Sequence, residues 1–485
     1  MGSPTLMSVR LLESRLRGAS VSARVPFRFG IAEMVELVHV FLFVTMDIDG
    51  TRQLGVAADN LSPKWYTKDP GTSYRDDAAE MVDVIESACA IARQRGTSDC
   101  VFDLWYAVHE QARRDAADVA PLLVGLGVSL VERAVIDAFC RARNVSFARA
   151  VRTNALGISL GTLHPELDGR HPREFLPRRP LTRMRIRHTV GLGDSLTGGE
   201  GAGALRVDHL PMTLEGWIRE YGLSRFKVKV GGDRAADLDR LGRIREVLDR
   251  ETRGDYRVTL DGNEQLADVS ALQALWDGIV ASPETAELGR RIDYVEQPFP
   301  RELALSADTS AALSAWPRRP SLIIDESDDS LDAVARAIES GYQGGAFKSS
   351  KGVFKGIGNA CRVEQLRREL PGGRFVYSAE DSSSIGPVGL LADLAVIATL
   401  GIDDPERNGH HYLPGLAGLP PRVCEETIRH HGDLYALRED GTVTLRIREG
   451  TIGVDSVAAA PFGVAWPCDF EDELDSAGSL VAALP

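Results

Sequence analysis

Apolar and polar positions repeat along this chain with two different periods. Residues 9–18, 36–46 and 53–58 are rich in Val, Leu and Phe, and Asp47-Ile48-Asp49-Gly50 supplies a turn between the last two. This pattern predicts an antiparallel meander. The apolar and basic link Val25-Pro26-Phe27-Arg28-Phe29-Gly30 is expected to be a loop, as is the stretch 59–71 with Lys64, Trp65, Tyr66 and Lys68. Apolar residues then recur at three- and four-residue steps over 74–95, 104–119 and 127–143, which predicts three helices. Residues 156–185 are rich in Pro, Arg and His and read as an irregular insertion.

Beyond residue 184 short apolar runs alternate with helical segments. Strands are predicted at 184–192, 226–230, 256–263, 292–298, 322–327, 345–348 and 374–378, with a candidate eighth at Gly409-His410-His411-Tyr412. Helical periodicity covers 238–248, 269–280, 331–338, 357–370 and 387–400. Strand and helix alternating at this spacing predict parallel βαβ units closing into a barrel. The tail, 434–464, returns to strand-like patterning and is expected to rejoin the N-terminal meander. The expected division is a capping domain at 1–155, an insertion or linker at 156–185, a barrel at 186–432 and a C-terminal segment at 433–485 returning to the cap.

Charge changes the picture most where the strands end. Asp261, Glu296 and Asp325 each close a predicted strand and lie 35 and 29 residues apart, about one βα unit each. Carboxylates at the C-terminal ends of barrel strands converge on the face where barrel chemistry sits. Three ionised together require a cation, and all-oxygen ligation favours a hard ion, Mg²⁺ with Mn²⁺ as the alternative. Lys227 and Lys229 share one side of the second strand, and Lys348 ends the sixth, opposite it in a barrel of eight. Paired ammoniums lower one another's pKa, and a lysine depressed toward neutrality can act as a general base. Lys351 and Lys355 follow Lys348 too closely to share its strand end.

Composition narrows the class without naming the chemistry. The 485 residues carry a net charge of −14 and no offsetting basic run, which argues against nucleic acid or an anionic membrane as partner. Six scattered cysteines form no Cys-x-x-Cys pair and read as buried thiols. No basic-then-apolar leader pattern opens the chain, and a cytoplasmic location is expected.

Five motifs in order, Lys227-Val228-Lys229, Asp261-Gly262-Asn263, Glu296-Gln297-Pro298, Asp325-Glu326-Ser327 and Lys348, resemble the enolase superfamily. Within it they are similar to the muconate-lactonizing-enzyme and dipeptide-epimerase subgroup. Residues 26–30 resemble the subgroup's first cap loop, and 131–138 the helix before its barrel. The resemblance implies an α/β fold, a (β/α)7β TIM-like barrel with an α+β cap built from the N-terminal region and the C-terminal tail. It implies metal ligation by Asp261, Glu296 and Asp325, acid/base roles for Lys229 and Lys348 with Lys227 tuning Lys229, and support from Asn263 and Glu326. The implied reaction removes a proton α to a substrate carboxylate through an ene-diolate. Racemisation or epimerisation leads, with a lyase (dehydratase or cycloisomerase) as the alternative and a catalytically silent carboxylate-binding barrel behind both. Candidate substrate contacts are Arg28, Phe29, Trp65, Glu380, Asp381 and His410. The chain departs from the subgroup at 380–386, where both Glu380 and Asp381 stand as candidates to face the site. It departs also at Asp59 and in the insertion, and no His ends the seventh strand, which counts against the mandelate-racemase arrangement with its His–Asp dyad. The expected partners are a small-molecule carboxylate and a second copy of the chain in a homo-oligomer.

Overall fold

The computed structural model describes residues 7–30, 32–199 and 210–484. The meander is a three-stranded antiparallel sheet of Val9–Phe29, Ala32–Ile48 and Thr51–Asn60. Residues 25–29, expected as a loop, continue the first strand, and Phe27 pairs with Met34 beyond an irregularity that begins at Ser22. The hairpin therefore reaches out past the sheet, turning at Gly30, where φ is +51°.

Helices Tyr74–Arg95, Val101–Asp115 and Pro121–Ala142 cover this sheet. The third is buried along almost its whole length, and it packs closest at Gly55, where a Cβ would stand 2.1 Å from the Ala134 carbonyl. Only a residue without a side chain allows that approach. The segment that follows is built from short helical turns, including Phe147–Arg152 and Leu160–Leu163, rather than from regular elements.

Eight parallel strands then form the barrel wall: Arg187–Val190, Arg225–Lys229, Arg257–Asp261, Ile292–Glu296, Leu322–Ile324, Gly344–Phe347, Val376–Ala379 and Glu406–Arg407. Most carry one dominant outer helix, among them Arg234–Thr252, Val269–Ala281, Val353–Glu369 and Val388–Leu400. The last of these is apolar but for Asp393 and Thr399 and is buried at every residue, as a helix so apolar must be.

Three expectations are corrected. The eighth strand is Glu406–Arg407, and the predicted strand at 409–412 is one helical turn, Gly409–Tyr412. The first predicted strand divides: Arg183–Arg185 pairs antiparallel with Thr451–Gly453, and only Arg187–Val190 enters the barrel. The tail does not rejoin the meander over 434–464, because Tyr435–Leu437 and Val443–Leu445 satisfy each other as a separate hairpin. The meander instead receives Asp475–Ser476, paired with Arg17 and Gly18, and the helix Ala477–Ala482 beside it.

All six cysteines are free thiols. No helix among the described residues is long and apolar enough to cross a membrane.

Candidate active site

Parallel register sets the carboxylates side by side. Lys229 pairs with Asp261, and Asp261 with Glu296, so the ends of strands two, three and four lie level at the barrel mouth. Asp325 follows immediately after the fifth strand. Asp261, Glu296 and Asp325 are wholly buried, a position carboxylates hold only when paired.

Their partners are lysines. Lys227 Nζ lies 2.8 Å from Asp261 Oδ2, 2.8 Å from Glu296 Oε1, 2.6 Å from Glu380 Oε2 and 3.1 Å from Glu406 Oε2. Burial alone would lower the pKa of this ammonium, but those four carboxylates outweigh it and hold the pKa well above the ordinary lysine value. This corrects the expected depression of Lys227. Lys227 is a permanently charged hub, and Lys229 meets it on the same oxygen, donating to Asp261 Oδ2 at 2.5 Å. Burial, reinforced by the charges of Asp261 and Glu380, pushes the Glu296 carboxyl well above the usual carboxylate range.

On the opposite wall Lys348 donates to Asp325 Oδ2 at 2.5 Å, and its ammonium stands 4.0 Å from the centre of the Trp65 ring. Desolvation opposes its charge, but Asp325 raises its pKa above the ordinary lysine value. Lys351, which follows in the turn Ser349–Lys351, folds back to donate to Asp325 Oδ1 at 3.0 Å and to the Ala346 carbonyl at 2.6 Å. The spacing argument had set this residue aside.

Cap and barrel enclose a small cavity of about 50 Å³ between these groups. Lys227, Lys229 and Lys348 all line it, with Asn263, Asp381 and Glu406 from other strand ends. Phe27, Met34, Asn60, Trp65 and Tyr66 close it from the cap. Arg301 fixes the Trp65 loop by donating to the carbonyls of Trp65 and Tyr66 while paired with Glu264.

The remaining candidates fall on both sides of that boundary. Asn263 donates to Glu326 Oε1 at 3.0 Å, and its main-chain N–H donates to Asp261 Oδ1 at 2.9 Å. Lys68, from the cap, joins them at 2.8 Å from Glu264 and 3.6 Å from Glu326. Glu380 and Asp381 share the work: Glu380 points into the barrel, gripping Lys227 and Arg187, while Asp381 lines the cavity. The Asp381 carboxylate is occupied by the main-chain N–H groups of Ser384 and Asn408.

Arg28 and His410 do not reach the cavity. Strand alternation turns Phe27 inward and Arg28 outward, where it is exposed and paired with Glu33 at 3.2 Å. His410 lies behind the wall against His188, because the helical turn carries it away from the mouth. Phe29 ends the first strand, and its side chain lies outside the described residues. Glu406 was missed altogether. It accepts from Thr189 Oγ1 at 2.5 Å and from the Asp381 N–H at 3.0 Å, and it completes the charge shell of Lys227.

No family model and no curated protein matches this sequence. Solved structures match it in shape. A mandelate racemase/muconate lactonizing protein from Herpetosiphon aurantiacus is 17% identical, with 93% of this chain and 97% of that one aligned at a TM-score of 0.57. An enolase from Bradyrhizobium, complexed with magnesium and mandelic acid, is 16% identical over 96% and 98% of the two chains, at 0.58. A muconate lactonizing enzyme from Pseudomonas fluorescens, complexed with muconolactone, is 14% identical over 94% and 97%, at 0.57. The chain has the enolase-superfamily fold.

The carboxylate trio is a donor set that fits a divalent cation such as the magnesium of the Bradyrhizobium structure. All three groups are hard oxygen donors on consecutive strand ends, and Glu296 Oε2 is buried with no hydrogen-bond partner. As the side chains stand, Asp261 and Asp325 are spread onto their lysines. The described histidine, cysteine and acidic side chains bring three ligand atoms within 4.8 Å of one another only at His188, His410 and His411.

Proposed function

We propose that this chain is a divalent-metal-dependent enzyme of the enolase superfamily that removes the proton α to a substrate carboxylate and returns it, acting as a racemase or epimerase. One observation carries the reading: Lys229 and Lys348, from the second and sixth strands of eight, line one cavity beside a buried carboxylate trio. A substrate between them would meet an amine on each face of its α-carbon.

Asp261, Glu296 and Asp325 would hold Mg²⁺, whose charge offsets the negative charge gathering on the substrate carboxylate as the proton leaves. Lys348 Nζ, kept charged by Asp325, carries a proton to deliver on one face, and Lys229 Nζ receives one on the other. Lys227 holds the acids around the site in place and adds fixed positive charge beneath it. Trp65 covers Lys348 and, with Phe27 and Tyr66, excludes water and offers an apolar wall to the substrate side chain. Mandelic acid and muconolactone, bound in the two structural neighbours, are both small carboxylate compounds.

The test is proton NMR in D₂O with Mg²⁺ and a panel of hydroxy acids, amino acids, N-acyl amino acids and dipeptides. Loss of the α-proton signal without net conversion is expected, absent in Lys229→Ala and Lys348→Ala or divided between them by enantiomer. Exchange accompanied by a vinylic or keto product would make the enzyme a lyase. Metal-dependent binding without any exchange, or exchange indifferent to both substitutions, would overturn the proposal.

A further inference from the structure

Three histidines meet in the interior behind the barrel mouth, outside the cavity. His188 stands in the first barrel strand, and His410 and His411 lie in the turn after the eighth. His188 and His411 are fully buried, and His410 is 9% exposed. One ligand atom from each lies within 4.8 Å of the other two, and His188 Nδ1 faces His410 Nε2 at 3.0 Å. Trp217 and Tyr412 pack against the rings, and Tyr221 meets His410 edge-on.

This trio is short of hydrogen bonds. His188 Nε2, His410 Nδ1 and both nitrogens of His411 are buried without a partner of ordinary geometry. The Thr189 carbonyl lies near enough to His411 to favour its charged form, but it is not aligned as an acceptor. Buried ring nitrogens left this way are costly unless something binds them. Burial, with the charges of Arg407 and Arg24 nearby, holds His410 neutral, its pKa pushed down to about 3. Burial and the neighbouring rings hold His188 and His411 neutral as well. Neutral imidazole is the form that ligates transition metals.

We propose that His188, His410 and His411 bind one borderline transition-metal ion, Zn²⁺ or its analogue Co²⁺, at an interior site distinct from the carboxylate site. Nitrogens about 2.05 Å from a tetrahedral ion stand about 3.3 Å apart, close to the His188–His410 spacing. Imidazole suits Zn²⁺ and its neighbours, whereas Mg²⁺ selects oxygen, so the two sites divide the metals by donor type. The position gives the ion a purpose. The eighth strand is two residues long and joins the first strand only at Glu406–Arg187 and Arg407–His188. An ion there ties the first strand to the turn just beyond the eighth, where the sheet is thinnest. It thereby steadies Glu406, whose carboxylate binds Thr189 and Lys227.

The full-length protein, stripped with a chelator and saturated with Mg²⁺, is titrated with Co²⁺ alone. One equivalent should bind, with the strong visible absorption of low-coordinate cobalt, and Zn²⁺ should displace it. His411→Phe should weaken binding by about 100-fold or more, since even loss of an outer-shell partner costs 10–100-fold, while Glu296→Gln should leave it unchanged. Zinc-edge X-ray absorption of the unmutated protein should show imidazole scattering, and it decides the matter alone if His411→Phe does not fold. No cobalt bound beside Mg²⁺, cobalt lost in Glu296→Gln, or an oxygen-only zinc environment would each overturn the proposal and leave a dry aromatic box.

Discussion

Lys348 holds its ammonium between a carboxylate and an aromatic face. The Trp65 ring lies 4.0 Å away, and such a contact is worth about 0.5–2 kcal/mol to the charged form. Trp65→Leu should therefore slow α-proton exchange on the face Lys348 serves by about two- to thirty-fold, and Trp65→Phe by less. Enantiomer-resolved exchange rates check this, and equal slowing on both faces would deny the link between Trp65 and Lys348. Lys227 poses a different question, of stability. It neutralises part of the charge on four buried acids at once, and removing one partner of a buried ion cluster costs about 3–5 kcal/mol. Lys227→Met should lower the free energy of urea unfolding in chelator by that order. An unchanged midpoint would mean that the four carboxyls take up protons and need no cation.

At the scale of elements, the helix Val353–Glu369 begins at Gly352 with no cap from its own side chains. Glu132, from the Pro121–Ala142 helix, supplies one: it accepts from the Val353 and Phe354 N–H groups at 2.9 and 2.7 Å. Burial pushes its carboxyl from 4.5 up to about 7, against the pull of those N–H groups and Arg133. The folded state thus holds this proton more tightly than the unfolded chain does. Stability from this group is therefore present below pH 4.5 and is lost as pH rises toward 7, by at most about 3 kcal/mol. Stability measured against pH for the parent and for Glu132→Gln should converge or cross as pH rises through that window. Parallel curves would remove Glu132 as the source. Such cross-element ties were not legible in the sequence, whereas strands with apolar runs were. Residues 226–230 and 292–298 announced themselves by Val, Phe and Tyr before a charged end. Glu406–Arg407 has no apolar run, because its side chains are spent on Lys227, Asp381 and Asp393 rather than on a core. Lys351 was discounted by spacing because a tight turn, invisible to periodicity, returns it to Asp325. The fold and the carboxylate–lysine core could be read from strand ends, but the second layer of charge, built by turns, could not.

For the whole molecule, the metal question becomes one of linkage between cap and barrel. The carboxylates sit on strands three to five, while Arg133 binds Asp59 at 2.6 Å, and Asn60 donates to the Ser383 carbonyl at 2.7 Å. The second of these contacts joins the cap to the loop after the seventh strand, and Arg301 holds the Trp65 loop on the barrel. An ion that binds only the folded carboxylate trio stabilises the fold by mass action, about 1.4 kcal/mol for each tenfold of free ion above its dissociation constant. Mg²⁺ should therefore raise the thermal midpoint with the logarithm of its concentration, chelator should reverse the rise, and Glu296→Gln should abolish it. Because cap and barrel are tied at these points, far-ultraviolet dichroism and tryptophan emission should shift together. Trp65 reports from the cap, and Trp276 and Trp316 report from the barrel. A shift confined to one probe would show that the cap unfolds apart from the barrel. No shift in either would show that the trio, held by its lysines, takes no ion.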